Sequence, residues 1–408
     1  MGNQVNIPAL RFSEFNEVDD NSYKKHFFKD IFIFSTGKNI KQNEASPEFD
    51  TPCVRYGELY YMYNEVIKDI INRTNLDKSD LVLSSGDEIL LPSAGEDPLD
   101  IGSASALTIE NVAIGRTINI LKPMTANVYS QIYAAYYINH KLRKKISTLA
   151  KGVSISNVYN SDLKTLEIIL PSLLEQTKIA TFISTIDKRI NLLSNQKEQL
   201  ELYKKGLMQK IFSQELRFKD ENGEEFPDWE EKRLGEIGTF FSGGTPLTSK
   251  KEYYNGHIPF IKSGEIKSNK TEQFITELGL KNSSAKIVEI GDLIYALYGA
   301  TSGEVAISKI QGAINQAVLC IRTNELSRFF YHYLYFKKEN IIKAYLQGGQ
   351  GNLSAEIVKS LIIPVPTISE QKKIDSFLSI IDKQIEEVIY QIDESIEYKK
   401  GLLQKLFV

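Results

Sequence analysis

The chain states one long segment twice. Residues 171–212 and 366–407 align without a gap at a shift of 195 positions and share 20 identities over 42 positions. Each copy opens on Pro-x-x-x-Glu-Gln and closes on Tyr-Lys-Lys-Gly-Leu-x-Gln-Lys. An internal repeat of this length settles architecture before chemistry. The molecule has two similar halves and is suited to a two-part partner.

Both copies read as long helices. Ser172-Leu173-Leu174-Glu175 and Thr367-Ile368-Ser369-Glu370 have the spacing of a capping box, in which the hydroxyl caps a backbone N–H and the carboxylate reaches back. Pro171 and Pro366 stand just before, where no helix has yet begun. Apolar residues then recur every seven. Ile179, Ile186, Leu193, Leu200 and Leu207 form one row, with Ile183, Ile190 and Ile211 on a second. The other copy offers Ile374, Ile381, Val388 and Leu402 with Leu378, Ile385, Ile392 and Leu406. This is a coiled-coil seam. About 40 residues at 1.5 Å rise make a rod of roughly 60 Å. Lys197, Lys204, Lys399 and Ser395 interrupt the seam; polar seam positions specify register at some cost in stability. A helix with one apolar stripe requires a partner, and the other copy is the simplest one. An antiparallel pair is expected.

The segments ahead of the helices read as mixed α/β domains that are distantly related. Leu10-Arg11-Phe12 answers Leu216-Arg217-Phe218. Pro52-Cys53-Val54-Arg55-Tyr56-Gly57-Glu58 answers Pro259-Phe260-Ile261-Lys262-Ser263-Gly264-Glu265. Strand-like runs such as Leu293-Ile294-Tyr295-Ala296-Leu297 alternate with turn residues. The expected fold is α+β with a pseudo-two-fold repeat. Two mixed domains at 1–170 and 214–365 are separated by helices at 171–213 and 366–408 that form an antiparallel coiled coil. Helices alike and domains unlike are what results when rods meet one identical partner twice and domains read different things.

Bulk properties narrow the function class. With 408 residues the chain has room for two to four domains. Cys53 and Cys320 are too few for a disulfide framework or a cysteine metal site and suit a reducing compartment. The opening Met1-Gly2-Asn3-Gln4-Val5-Asn6 is not expected to be a signal peptide, and no apolar run approaches a membrane span. A net charge of −3 is unusual for a nucleic-acid binder, although a local basic face can coexist with acidic helices.

Signals for catalysis are missing. There is no GxxxxGK[ST] loop and no strand–GxGxxG–helix unit. The glycine-rich Ser242-Gly243-Gly244-Thr245-Pro246 reads as an ordinary turn, and His26, His140, His257 and His332 lack metal-ligand spacing. Features suited to DNA are present instead. In the second domain they are Lys262, Ser263 and Lys267, then Tyr298, Thr301 and Ser302, then Asn315 and Gln316, whose amides could pair with adenine. In the first domain they are Arg55, Tyr56, Ser93 and Arg116. Lys144 and Lys145, in the basic run from His140, would meet phosphates. A solvated helix face explains any single lysine equally well, core packing explains strand tyrosines such as Tyr295, and turn capping explains the amides.

At this level the chain resembles the specificity (S) subunits of type I restriction-modification systems. The resemblance rests on the doubled P-x-x-x-E-Q-x-K-I-x-x-F helix starts at Pro171 and Pro366, the Y-K-K-G-L-x-Q-K closings, and the run from Phe241 through Gly264. The first domain departs from it, with Ser35-Thr36-Gly37-Lys38 where the second has Ser242-Gly243-Gly244-Thr245-Pro246, and with Ser156 before Asn157 where Gly351 precedes Asn352. The resemblance implies a non-catalytic chain whose two target-recognition domains each read half of a split double-stranded DNA sequence. It implies that the helices set the gap and dock two methyltransferase (M) subunits through Glu175, Gln176, Ile179, Phe182, Ile186, Ile190 and Leu193, and through Glu370, Gln371, Ile374, Phe377, Ile381, Ile385 and Val388. Restriction (R) subunits would join them. Adenine methylation with S-adenosylmethionine, and restriction with ATP and Mg, would belong to those partners, with no cofactor or metal on this chain. No membrane is involved on this reading; the expected setting is the bacterial cytoplasm at the nucleoid. A rod of about 60 Å spans about 18 base pairs.

Overall fold

The computed structural model describes residues 7–16, 23–152, 154–323, 325–345 and 352–408. Met1 to Asn6 and Gly351 therefore lie outside the described residues. The chain forms two compact units, residues 1–193 with 391–408, and residues 194–390. Each unit thus holds a globular head, the start of one long helix and the end of the other. These units cut across the four segments expected from sequence, because both helices pass from one unit into the other.

The long helices span Leu173–Phe212 and Ile368–Leu406. Their seam residues are core residues: Ile179, Ile183, Ile186 and Leu193 are buried in the first unit, Ile374, Leu378, Ile381 and Val388 in the second. Pairing is antiparallel in each unit. In the first, the Lys399 ammonium lies 2.8 Å from the Asp187 carboxylate. In the second, Lys204 lies 2.5 Å from Asp382. Asp187 and Asp382 are repeat equivalents, as are Lys204 and Lys399. One partly buried ion pair is therefore made twice with the helices exchanging roles. Two of the three lysines that break the heptad pattern are the residues that fix the register.

The heads share one plan. In each, the first strand pairs antiparallel with the last, Lys24–Phe27 with Glu167–Leu170 and Glu230–Arg233 with Ile362–Val365. Each contains a four-stranded sheet with a single parallel pair, Thr51–Val54 beside Glu110–Ile114 and Tyr254–Ile261 beside Gly312–Ile314. Each adds a second sheet, five-stranded in the first head and four-stranded in the second. Tyr295 is fully buried there, as core packing predicts. Phe407, closing the second helix, packs edge-on against Tyr133 and Tyr137 of the first unit. Phe212 does the same against Phe329 and Tyr333 of the second.

The capping-box expectation needs correction. The hydroxyl half is present: Ser172 and Thr367 accept from the N–H of Glu175 and Glu370 at 3.3 and 3.4 Å. The carboxylate half goes elsewhere. Glu175, 1% exposed, takes two hydrogen bonds from Arg11 at 2.8 Å and one from the Tyr23 hydroxyl at 2.8 Å. Glu370, 0% exposed, takes Arg217 at 2.9 Å and the Trp229 indole N–H at 2.9 Å. Burial, and then the Glu175 charge, push the Tyr23 phenol pKa well above its ordinary value. Gln176 and Gln371 are buried too. Gln176 accepts from the Ser130 backbone and donates to Pro171, while Gln371 accepts from the Leu326 backbone and donates to Pro366 and Glu325. These four residues, assigned above to subunit docking, are internal bolts between each helix start and its own head. A carboxylate already holding a guanidinium in a water-free site is not offered to a second protein.

Candidate nucleic-acid interface

A parallel strand pair places its two C-terminal ends side by side. In the first head Cys53 and Val54 lie opposite Ala113 and Ile114, so Arg55 and Arg116 emerge from one edge. Two more segments converge there. Gly115 donates to Val54, Lys38 to Ile114 and Arg116 to Asn39 through backbone N–H groups, at 2.8, 3.0 and 2.9 Å. The backbone of Ser93 donates to Thr117 at 2.8 Å. Asn39, Ile40 and Thr117 all have positive φ, at 54°, 55° and 66°. For β-branched Ile40 and Thr117 this is a costly conformation that the surroundings must enforce.

The second head repeats the geometry with other side chains. Phe260 and Ile261 lie opposite Ala313 and Ile314, so Lys262 and Asn315 emerge together. The Ser242-Gly243-Gly244-Thr245-Pro246 turn, read from sequence as an ordinary loop, is a working part of this edge. A Cβ on Gly243 would sit 1.7 Å from the Ile314 carbonyl oxygen, and Gly244 donates to that same oxygen at 3.2 Å. The turn carries Thr245 to Gln316, whose side-chain oxygen accepts its hydroxyl at 2.7 Å. Gly37 is the counterpart, for its Cβ would meet the Gly115 oxygen at 2.0 Å. The first head therefore keeps the essential glycine that its weaker motif hid.

The edges differ in charge presentation. Arg55 is held by Glu58, which is 2% exposed, through a bond of 2.7 Å; Glu58 also accepts from the Arg55 N–H and from Asn72. Glu265 caps the Lys262 N–H in the same manner, yet Lys262 itself is exposed. Arg116 and Tyr56 are exposed, and Ser263, Tyr298 and Thr301 are half-buried on their loops. Ser302 turns its hydroxyl inward to the Leu297 carbonyl. Asn315 accepts from the Ala317 N–H at 3.1 Å, the turn-capping role weighed above. Lys267, exposed, clamps Glu304 together with Lys338, and the pKa of Glu304 falls because those two ammonium groups outweigh its burial. Lys144 and Lys145 are exposed on the short helix Arg143–Leu149, away from the strand-end cluster by sequence position. That helix belongs to the basic run, whose Arg143 is engaged by the Leu99 carbonyl.

Nothing described suggests metal or thiol chemistry. No cluster of three potential metal ligands occurs among the described residues. Cys53 and Cys320 are buried and unpaired, and burial pushes the Cys53 thiol up to about 12. No helix among the described residues is long and apolar enough to cross a membrane.

Fold and site together define a duplicated protein, with one plan used twice and different side chains at the two strand-end edges. Comparison with known proteins agrees. The family model for the type I restriction modification DNA specificity domain matches residues 21–202 and again 227–398. The putative type I restriction enzyme MjaX specificity subunit of Methanocaldococcus jannaschii is 30% identical over 308 residues, covering 72% of this chain and 71% of that one. The MjaVIII specificity subunit of the same organism is 27% identical over 296 residues, covering 67% of this chain and 69% of that one. The crystal structure of the S subunit from M. genitalium superposes with a TM-score of 0.66 at 19% identity, covering 98% of this chain and 99% of that one. The chain belongs to the family of type I restriction-modification specificity subunits. Members of this family are DNA-recognition components and not catalysts.

Proposed function

We propose that each head reads one half of a bipartite double-stranded DNA target through its strand-end cluster, Arg55 and Arg116 in the first unit, Lys262 and Asn315 with Gln316 in the second. The long helices set the gap between halves and dock two methyltransferase subunits, which bind S-adenosylmethionine and methylate adenine. Restriction subunits, using ATP and Mg, complete the complex on cytoplasmic DNA at the nucleoid. The observation that carries this reading is the doubled edge. Two parallel strand pairs present their ends alike, but one edge offers two arginines and the other a lysine with two amides. Arginine suits guanine O6/N7 and amides suit adenine N6/N7, so the halves would differ in sequence. Lys144 and Lys145 would contact phosphate, which positions without specifying.

Binding of target duplex by the complex with its methyltransferase subunits, measured against salt, tests the proposal. A steep fall in affinity with rising salt is expected from phosphate neutralisation. A flat response would instead favour a scaffold whose heads bind proteins.

A further inference from the structure

The two heads hold one glutamate at the same place and use it differently. Glu58 and Glu265 are counterparts in the stretches Arg55-Tyr56-Gly57-Glu58 and Lys262-Ser263-Gly264-Glu265. Each accepts, at 3.1 Å, the N–H of the residue that leaves the strand. The second oxygen of Glu265, a half-buried residue, serves its own loop: it takes the Thr271 hydroxyl at 3.0 Å and the Glu272 N–H at 2.9 Å. The second oxygen of Glu58 instead takes the Arg55 Nε at 2.7 Å and the Asn72 side-chain amide at 3.0 Å. Asn72 is 8% exposed, and its own carbonyl accepts from the Cys53 N–H at 2.9 Å.

The Glu58 carboxylate is closed off from water, with buried Val54 and Leu59 as chain neighbours of the turn. A carboxylate in such a place needs every bond it makes, so the Arg55 guanidinium cannot swing away without stranding it. Capping the turn does not call for this arrangement, because Glu265 closes the matching turn with no guanidinium. An arginine carries five N–H donors in a planar fork. Only the Nε donor of Arg55 is taken; among the described residues nothing bonds to its two terminal nitrogens. The side chain is 24% exposed. What remains is a fixed pair of terminal N–H groups at the edge, the spacing that matches O6 and N7 of guanine.

We infer that Glu58 is a positioning residue that presents the end of Arg55 to one guanine of the first half-site. The inference rests on the proposed function above. Its physical basis is that the rotamer is chosen before DNA arrives, so less side-chain freedom is lost on binding. A phosphate contact needs no such aim, since a flexible ammonium serves it equally well. Lys262, the counterpart of Arg55, is exposed and has no ion pair among the described residues. The base pair facing Arg55 is therefore fixed more stringently than the one facing Lys262.

Competition binding by the full chain with its cognate methyltransferase subunits provides the test. The probes are the duplex carrying the motif found by mapping methylated adenines, and its single-base-pair variants. On the unaltered complex, replacing one G·C pair of the first half-site should weaken binding by roughly tenfold to hundredfold. Arg55→Lys keeps the charge, so it should erase most of that penalty and leave the salt slope as it was. Glu58→Gln should reduce the same penalty several-fold and leave the penalties at all other positions unchanged. Glu58→Asp, which keeps the charge but draws it back by one methylene, should act in the same direction and serves if Glu58→Gln melts early. In an Arg55→Lys background, Glu58→Gln should add nothing, because the side chain it aims is already gone. An unchanged penalty in these variants, an even loss over all positions, a smaller salt slope in Arg55→Lys, or an Arg55-dependent pair that is A·T would overturn the inference while leaving the proposed function standing. A complex that prefers no sequence at all would overturn that function itself.

Discussion

The junctions at the helix starts and the edges at the strand ends follow opposite rules. Each junction is built from the same parts: glutamate, arginine, an aromatic donor and a glutamine that ties a loop to the helix start. Each edge keeps the backbone arrangement and changes the side chains, Arg55 beside Arg116 in one head, Lys262 beside Asn315 in the other. On the proposed function, the difference separates scaffold from reading surface. Buried, charge-assisted contacts cannot vary independently, because changing one partner strands the other. The exposed strand-end residues, Arg116, Lys262 and Gln316, can vary freely, because the backbone that places them is held by Gly37 or Gly243 and by main-chain hydrogen bonds.

If the junctions are truly the shared part, Glu175→Ala and Glu370→Ala should destabilise their own units alike, by roughly 3–5 kcal/mol each. Urea unfolding followed by hydrogen exchange in each head measures this; a large effect in one unit and none in the other would break the equivalence. The seam offers a second comparison. Lys204→Met should cost about 1–3 kcal/mol by leaving Asp382 without its ammonium, and Lys204→Met with Asp382→Leu should recover most of it. A double variant no better than the single one would remove the register role of the pair.

At the edges, on the proposed reading, Asn315→Ala should lose about 1–3 kcal/mol of discrimination at one base pair of one half-site. Lys144→Ala or Lys145→Ala should lower affinity across sequences and reduce the salt slope by about 0.9 for each phosphate no longer neutralised. Competition binding with single-base target variants distinguishes the two patterns.

The units also differ in acid response. His332, fully buried in the second unit, stands among Asp375, Asp382, Lys204 and Arg328, with its Nε2 3.2 Å from Asp375. Burial lowers its pKa, and the nearby carboxylates only partly offset this. The folded state therefore binds a proton less readily than the unfolded chain, so stability should fall as pH drops below about 6.5, the unfolded value. Asp375 is itself half-buried, yet hydrogen bonds from His332, Ser379 and Arg328 hold its pKa below the usual carboxylate value. Its contribution persists above the ordinary range and is lost only as pH falls further, through the depressed value. The equivalent place in the first unit is held by Tyr136, whose hydroxyl donates to Asp187. Denaturant midpoints at pH 7.5 and 5.5 should drop for the second unit, and His332→Phe should flatten that drop. The smallest effect concerns the exposed glycines: Gly206→Ala should raise helix stability by about 0.8–1 kcal/mol, visible as a modest gain in Tm.

The sequence made the helices legible because a seven-residue period and a second copy reinforce each other. It also named most of the residues at the two edges, since a strand followed by a basic or amide residue survives in both heads. It could not show that Glu175 and Glu370 turn away from their caps, because Arg11 and Arg217 lie more than 150 positions away in sequence and are brought near only by folding. The pairing of Lys204 with Asp382 was hidden for the same reason, although a lysine in a heptad core was the visible sign of it. Gly37 and Gly243 were visible as glycines, but their role is a close backbone approach, which leaves no mark in composition or period. The ion pair of Lys267 with Glu304 was hidden, since an exposed lysine looks alike in sequence whether it faces solvent or a carboxylate.

Methylated adenines mapped across a genome carrying this chain and its cognate methyltransferase subunits, before and after replacing the edge residues of the second head alone, test the division of labour most directly. The expected map is a two-part motif with constant separation, in which only one half changes after the replacement. A single uninterrupted motif, or a change in both halves at once, would contradict it.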